Sequence, residues 1–246
     1  GVVVITTKRG KGAKPTVSIK GQYGFSQPAL PTTEMMSTSQ YYDLWKTIAP
    51  NADLSIIKQY MDMGINTNWQ DYFLKDNAPT WQLDASITGV SKNTNYFISA
   101  SHYDQEGVEP ASGMKRETLR SNIDTKVFDW LRVGVNLGLS YEDFETNGFA
   151  TTGNSWYNVA TLSRWALPWE TPYEIVDDGN GNWHYGDRKD LLDVLGLWNP
   201  YYLLENQPAE KNKIRLYGNM FEELTPVKGL TIRASQALDA FDYRYR

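Results

Sequence analysis

Every second residue from 131 to 141 is apolar or aromatic: Leu131, Val133, Val135, Leu137, Leu139 and Tyr141. The residues between them, Arg132, Gly134, Asn136, Gly138 and Ser140, are small or polar. Side chains alternate across a pleated strand, so this stretch is a strand that separates two environments. A soluble sandwich could lay such a strand over its core. Its length is also what a tilted strand needs to cross a bilayer, about 9–11 residues. Recurrence of the pattern decides between the two.

The pattern does recur. Residues 81–90 set Trp81, Leu83, Ala85 and Ile87 against Gln82, Asp84, Ser86 and Thr88. Residues 116–127 set Leu119, Ser121, Ile123 and Val127 against Thr118, Arg120, Asn122, Asp124 and Lys126. Further strands are predicted at 16–25, at 95–104 with aromatics on both faces, at 213–224 and at 230–245. The connections alternate. They are long over 26–80, short over 91–94, medium over 105–115, short over 128–130, very long over 147–210 and short over 226–229. In the first long connection Tyr41, Leu44, Trp45 and Ile48 fall at helical spacing, and Pro50 stops that helix. Asp53 is a cap for a second helix over 54–63 that Gly64 ends, and residues 69–74 are short and aromatic.

Tight turns at one rim and long loops at the other are the rhythm of an outer-membrane barrel. A soluble sandwich has no reason to gather its long connections at one end. The expected fold class is all-β, part of a large antiparallel transmembrane β-barrel, with about seven strands and long extracellular loops containing short helices. Seven strands do not close such a barrel, so two sheet edges are expected.

Composition agrees. Mean hydropathy is -0.53 and the longest aliphatic run is residues 2–5, which excludes a transmembrane helix. A barrel turns only alternate residues to lipid and keeps mean hydropathy low. Net charge is -5 with scattered basic residues, which argues against a nucleic-acid partner. The chain has no cysteine, hence no disulfide framework and no thiolate metal site. It begins inside one strand-like run, GVVVITTKRG, and stops inside another, so an internal stretch of a longer protein is expected.

Several segments, in order, resemble the SusC/RagA-like family of TonB-dependent outer-membrane transporters. GVVVITTKRGKGAKPTVSIKGQYG looks like that family's junction between plug and barrel, with a basic linker. NTNYFISASHYDQEG and MKRETLRSNIDTKVFDWLRVGVNLGLSY are similar to its early barrel hairpins. NPYYLLENQ, followed by NKIRLYGNMFEELTPVKGLTIRAS, is similar to the later pair. The resemblance implies a barrel of about 22 strands whose lumen is plugged by an N-terminal domain. It places residues 1–12 at the C-terminal end of the plug and its linker, and residues 13–246 in the N-terminal part of the barrel. It also implies a multi-pass protein of the Gram-negative outer membrane. Such a protein imports glycans or peptides with a SusD-like surface lipoprotein and the TonB–ExbB–ExbD complex. Two other readings remain open: a soluble β-sandwich carbohydrate-binding module, and a passive porin-like or adhesive barrel.

No catalytic constellation is present, and no enzyme or cofactor is expected. The two histidines, His102 and His184, are far apart, and His102 is expected at the lumen or the rim. Glu222 and Glu223 are adjacent on a strand and point to opposite faces, which does not suit a glycosidase pair. The run from Asp177 to Asn182 fails the EF-hand spacing, because Gly179 falls third and Trp183 sixth in the two possible registers. Asn180-Gly181 is instead the turn of a β-hairpin in an external loop, with Trp183 and Tyr185 on its return strand. The four cations over residues 8–14 lack phosphate-loop spacing and describe a solvated linker. The aromatic residues of the long loop are the substrate-binding candidates: Trp156, Trp165, Trp169, Trp183, Tyr185 and Trp198. Aromatic faces with polar edges suit a sugar or a peptide side chain. The same rings could equally hold a long loop together or pack on a partner. Trp81, Tyr103, Trp130, Tyr141 and Tyr245, at strand ends, are expected in the interfacial girdles. On the lumen face Arg120, Asn122, Arg132 and Asn136 are expected.

Overall fold

The computed structural model of the chain describes residues 14–29, 34–146, 159–192, 196–206 and 209–245. The elements begin with strand β1 (Thr16–Ser26) and helices α1 (Thr38–Ile48), α2 (Ser55–Asp62) and α3 (Trp69–Phe73). Strands β2 (Ala78–Ser91), β3 (Thr94–Glu106), β4 (Gly113–Phe128) and β5 (Leu131–Thr146) follow. Next come α4 (Val159–Trp165), strands β6 (Tyr173–Asp177), β7 (Trp183–Arg188), β8 (Leu191–Leu192) and β9 (Leu197–Trp198), and α5 (Pro200–Asn206). Two long strands, β10 (Ala209–Val227) and β11 (Leu230–Tyr245), end the chain.

The seven long strands form one antiparallel sheet in the order β1-β2-β3-β4-β5-β10-β11. Each pairs with the next long strand in sequence, a meander built of hairpins. The short connections at 92–93, 129–130 and 228–229 lie at one rim, and the three long ones lie at the other. The tight turns use left-handed backbone where they must: Lys92 at φ 43° and Gly229 at φ 90°. The strand read first in the sequence continues past Tyr141 to Thr146.

Register carries the alternation of one strand across its neighbours. Leu139 of β5 faces Leu119 of β4 and Leu216 of β10, and Val135 faces Ile123 and Met220. Farther out, Ile98 of β3 opposes Ile87 of β2, which opposes Val17 of β1. This continuous face is apolar yet exposed, with Leu83 at 47%, Leu119 at 49% and Leu139 at 43%. Among the described residues no second sheet covers it. A patch of that extent marks an interaction surface, with a membrane or with another protein layer.

The opposite face is polar and cross-linked. Arg132 grips the Asp124 carboxylate at 2.8 and 2.6 Å, and Glu223 lies 3.8 Å from both Arg132 and Arg233. Asn136 donates to Asn219 at 2.7 Å, and Arg215 binds Asp239 at 2.9 and 2.6 Å. Two glycines on this face are notches for rings. A Cβ on Gly134 would stand 2.0 Å from Phe221, and one on Gly138 would stand 2.3 Å from Tyr217. Phe221 is 4% exposed, with the Arg233 guanidinium 4.0 Å from its ring centre.

Trp81 and Tyr141, expected in the girdles, share the apolar face, whereas the expectation is corrected for Tyr103 and Tyr245. Tyr103 pairs with Gln82 and Arg116, and Tyr245 with Lys211, which puts both on the polar face. The Arg116 guanidinium and the Lys211 ammonium lie 5.3 and 5.5 Å from their ring centres. The parity of the strand position decides this: each residue lies an odd number of positions from an apolar-face neighbour. His102, by the same rule, lies at the rim on the apolar face, opposite Leu83.

Candidate functional site

Most of the buried apolar side chains described lie in the long connections and not on the sheet. Two segments far apart in sequence interlock there. Helix α1 starts with a capping box, in which Ser37 accepts from the Gln40 backbone N–H and the Gln40 side chain accepts from the Ser37 N–H. Buried Thr38 donates to the Ile65 carbonyl at 2.7 Å, tying α1 to the chain beyond α2. Asn68 caps α3, whose Trp69 and Phe73 bury against Val159, Leu162, Ala166 and Leu192. The Trp69 indole donates to the Leu167 carbonyl at 2.9 Å, and Thr67 N–H to the Pro168 carbonyl at 2.7 Å.

A chain of rings runs from this core to the surface. Trp69 meets Tyr72 at 5.7 Å, Tyr72 meets Tyr173 at 6.0 Å, Tyr173 meets Tyr185 at 5.8 Å, and Tyr185 meets Trp183 at 5.2 Å. Tyr72 also packs on Tyr201, whose hydroxyl donates to the Tyr72 carbonyl at 3.3 Å. Burial pushes the Tyr72 phenol up to about 12, so it stays neutral. Arg188 lies over the Tyr201 ring at 5.5 Å and pairs with Glu205.

The β6–β7 hairpin turns where Asn180-Gly181 placed it. Gly179 and Gly181 take φ of 76° and 84°. The Asp178 carboxylate accepts from the backbone N–H groups of Asn180 and Asn182 and from the Asn182 amide. These bonds hold its carboxyl below the usual carboxylate range. Asp177 accepts from Gly179 N–H at 2.8 Å. The acids at this tip are engaged by the turn's own donors.

The six aromatic candidates divide by burial. Trp156 lies outside the described residues. Trp169 is 5% exposed, edge-on to Tyr41 at 4.5 Å, inside the loop core. Trp165 is 59% exposed at the end of α4. Trp183 and Tyr185 share the hairpin's return strand, with Tyr185 exposed. Trp198, also exposed, stacks on Tyr202 at 4.9 Å and 13°. The structure thus joins Trp183 to Tyr185 and pairs Trp198 with Tyr202. Tyr72 and Arg188, which support these rings, were not among the candidates. The aromatic run at 69–74 was the one sequence signal for Tyr72.

Among the described residues, no group of three or more histidine, aspartate or glutamate side chains is arranged to hold a metal. What the rim offers is polar-edged aromatic surface on an ordered loop assembly, above a sheet with one polar and one apolar face. That is the architecture of a barrel wall with an ordered loop assembly at one rim.

No protein-family model matches the chain. It is 34% identical over 97% of its length to TonB-dependent receptor P26 of Formosa agariphila. It is 32% identical over 85% of its length to TonB-dependent receptor SusC of Bacteroides thetaiotaomicron. It spans 23% and 19% of those two relatives. Among solved structures, the RagAB peptide transporter superposes with a TM-score of 0.74 at 23% identity, over 97% of this chain and 29% of that one. That likeness establishes the fold as part of an antiparallel barrel wall. Along the span it covers, the chain is homologous to TonB-dependent receptors, SusC among them.

Proposed function

We propose that this chain is wall and vestibule of an outer-membrane TonB-dependent transporter that takes up oligosaccharides. In this reading residues 13–246 are the N-terminal part of the barrel and residues 1–12 the end of a plug. The observation that carries the reading is the seven-stranded sheet with an exposed apolar face and its long connections at one rim. Homology to TonB-dependent receptors supports energised uptake through TonB–ExbB–ExbD, and similarity to SusC and RagAB supports a SusD-like lipoprotein partner. Substrate is met at the external rim by the exposed rings Trp165, Tyr185 and Trp198 and the half-buried Trp183, with Trp169 acting from behind as part of the loop core. Stacking on a sugar's C–H face uses the flat exposed rings of such a rim.

Peptide cargo is the second reading, favoured by the likeness to a peptide transporter. The test uses the full-length protein in its own outer membrane. Alanine at Trp183 and Trp198 should weaken capture of oligosaccharide while leaving barrel assembly intact. Unchanged capture would return these rings to a structural role, and TonB-independent uptake would favour a passive pore. Recovery of the protein in the aqueous phase would reject the membrane reading altogether.

A further inference from the structure

The apolar face is not uniform. Ala85 of β2 and Ala100 of β3 oppose each other, flanked by Ile19 on one side and Leu119 on the other. Leu83 and His102 stand above the pair, and Ile87 and Ile98 below. The short side chains leave a groove of about 360 Å³ in the half of the face nearer the long loops, reaching across to Leu139 and Tyr141. An apolar dip continuous with a lipid-facing surface is filled by an acyl chain.

The upper end of the groove is polar. His102 Nδ1 is hydrogen-bonded to the Glu117 carboxylate, and Trp81 packs on the imidazole at 4.3 Å. Nε2 is buried, so the exposed acceptor at this level is the Glu117 carboxylate. One step higher on the same face Asp104 and Asp143 flank Lys115. Beyond them Glu106, Glu145 and Glu210 border a second depression of about 540 Å³, where Lys75 pairs with Glu106 at 2.9 Å. The groove therefore opens into a region rich in acceptors and negative charge.

We infer that the Ala85–Ala100 groove binds an outer-leaflet lipid whose headgroup carries a primary ammonium. The acyl chain lies along the alanines, and the ammonium donates to the Glu117 carboxylate at the level of His102. An anionic headgroup would meet the carboxylates of the rim. A second copy docked by two-fold symmetry would set this acidic tier against itself. The inference rests on the outer-membrane placement proposed above.

The experiment uses the full-length receptor in nanodiscs of phosphatidylethanolamine, phosphatidylcholine or phosphatidylglycerol with identical acyl chains. Lipids retained on release are counted by native mass spectrometry. Phosphatidylethanolamine, which alone of the three carries an ammonium N–H donor, should be retained at least fivefold over the others. Ala100→Phe fills the groove with another apolar side chain and should abolish the retained lipid. Glu117→Gln keeps the groove and should lower phosphatidylethanolamine to the level of phosphatidylcholine. Equal retention of the three lipids, or retention unchanged in Ala100→Phe, overturns the inference. A dimer that Ala100→Phe converts to monomer would assign the groove to a second copy and overturn it as well. A receptor that integrates into the membrane without the preference refutes only the groove. One that stays in the aqueous phase refutes the placement beneath it.

Discussion

Gly134→Ala should be among the most damaging single-methyl additions to this barrel wall. The new Cβ would stand 2.0 Å from Cε1 and 2.4 Å from Cζ of Phe221, where carbon contacts normally lie at about 3.5–4.0 Å. The ring must therefore swing by more than an ångström. A small adjustment of the overpacked pair costs about 1–3 kcal/mol. Full displacement forfeits the burial of a ring now 4% exposed, worth about 1.5–3 kcal/mol. It also forfeits the Arg233 contact at 4.0 Å, worth about 0.5–2 kcal/mol. The expected loss for Gly134→Ala is thus about 2–4 kcal/mol, and for Phe221→Ala about 3–5 kcal/mol. Because the first loss acts through the ring, it should almost vanish in the Phe221→Ala background, a coupling of about 2–4 kcal/mol. Urea unfolding of the full-length receptor in lipid vesicles, followed by tryptophan fluorescence, measures all four corners of that cycle. Additive losses would refute the steric argument.

Three other outcomes follow from the loop assembly and its hairpin. Leu162→Ala, at a fully buried site, should cost the loop core about 2–5 kcal/mol. It should expose the external loops to protease while the barrel keeps its heat-modifiable migration in electrophoresis. Burial raises the Tyr72 phenol to about 12 against an ordinary value of about 10, so the folded state holds that proton more tightly. The corresponding stability is complete below about pH 10 and is lost as pH rises toward 12. Phenolate absorbance should show a late-titrating tyrosine that Tyr72→Phe removes. Asp178 has the opposite sign. Its lowered value means that its contribution is present above about pH 4 and is lost as pH falls further. The hairpin should survive mild acid, and Asp178→Ala should loosen it at neutral pH, as read by proteolysis between Asp177 and Trp183.

The wall was legible in sequence because its rule is local. A period of two fixes the face of each residue from 131 to 141, and by the same rule Arg132 and Asn136, expected at the lumen, share the polar face. The Asn180-Gly181 turn was legible because its left-handed backbone favours glycine. The vestibule was not. Helix α4, with the residue after it, buries Val159, Leu162 and Ala166 at spacings of three and four, but seven residues are too short a window for that period to stand out, and its α3 partners lie about ninety residues away. Trp169 and Trp198 look alike in sequence, and Tyr41 buries one of them. Gly134 and Gly138 read only as small residues until Phe221 and Tyr217 are placed against them. Parity, not aromatic character, put Tyr103 and Tyr245 on the polar side.

The interlock of the two long connections also sets an order of events. The Trp69–Leu167 bond joins positions 98 residues apart, and the Tyr201–Tyr72 bond joins positions 129 apart. Closing such spans costs chain entropy before any contact compensates it. Strands β2 to β5 lie between those positions and bring the ends together once their hairpins have zipped. The loop assembly therefore forms after β2 to β5, and once formed it reports that those strands are in register.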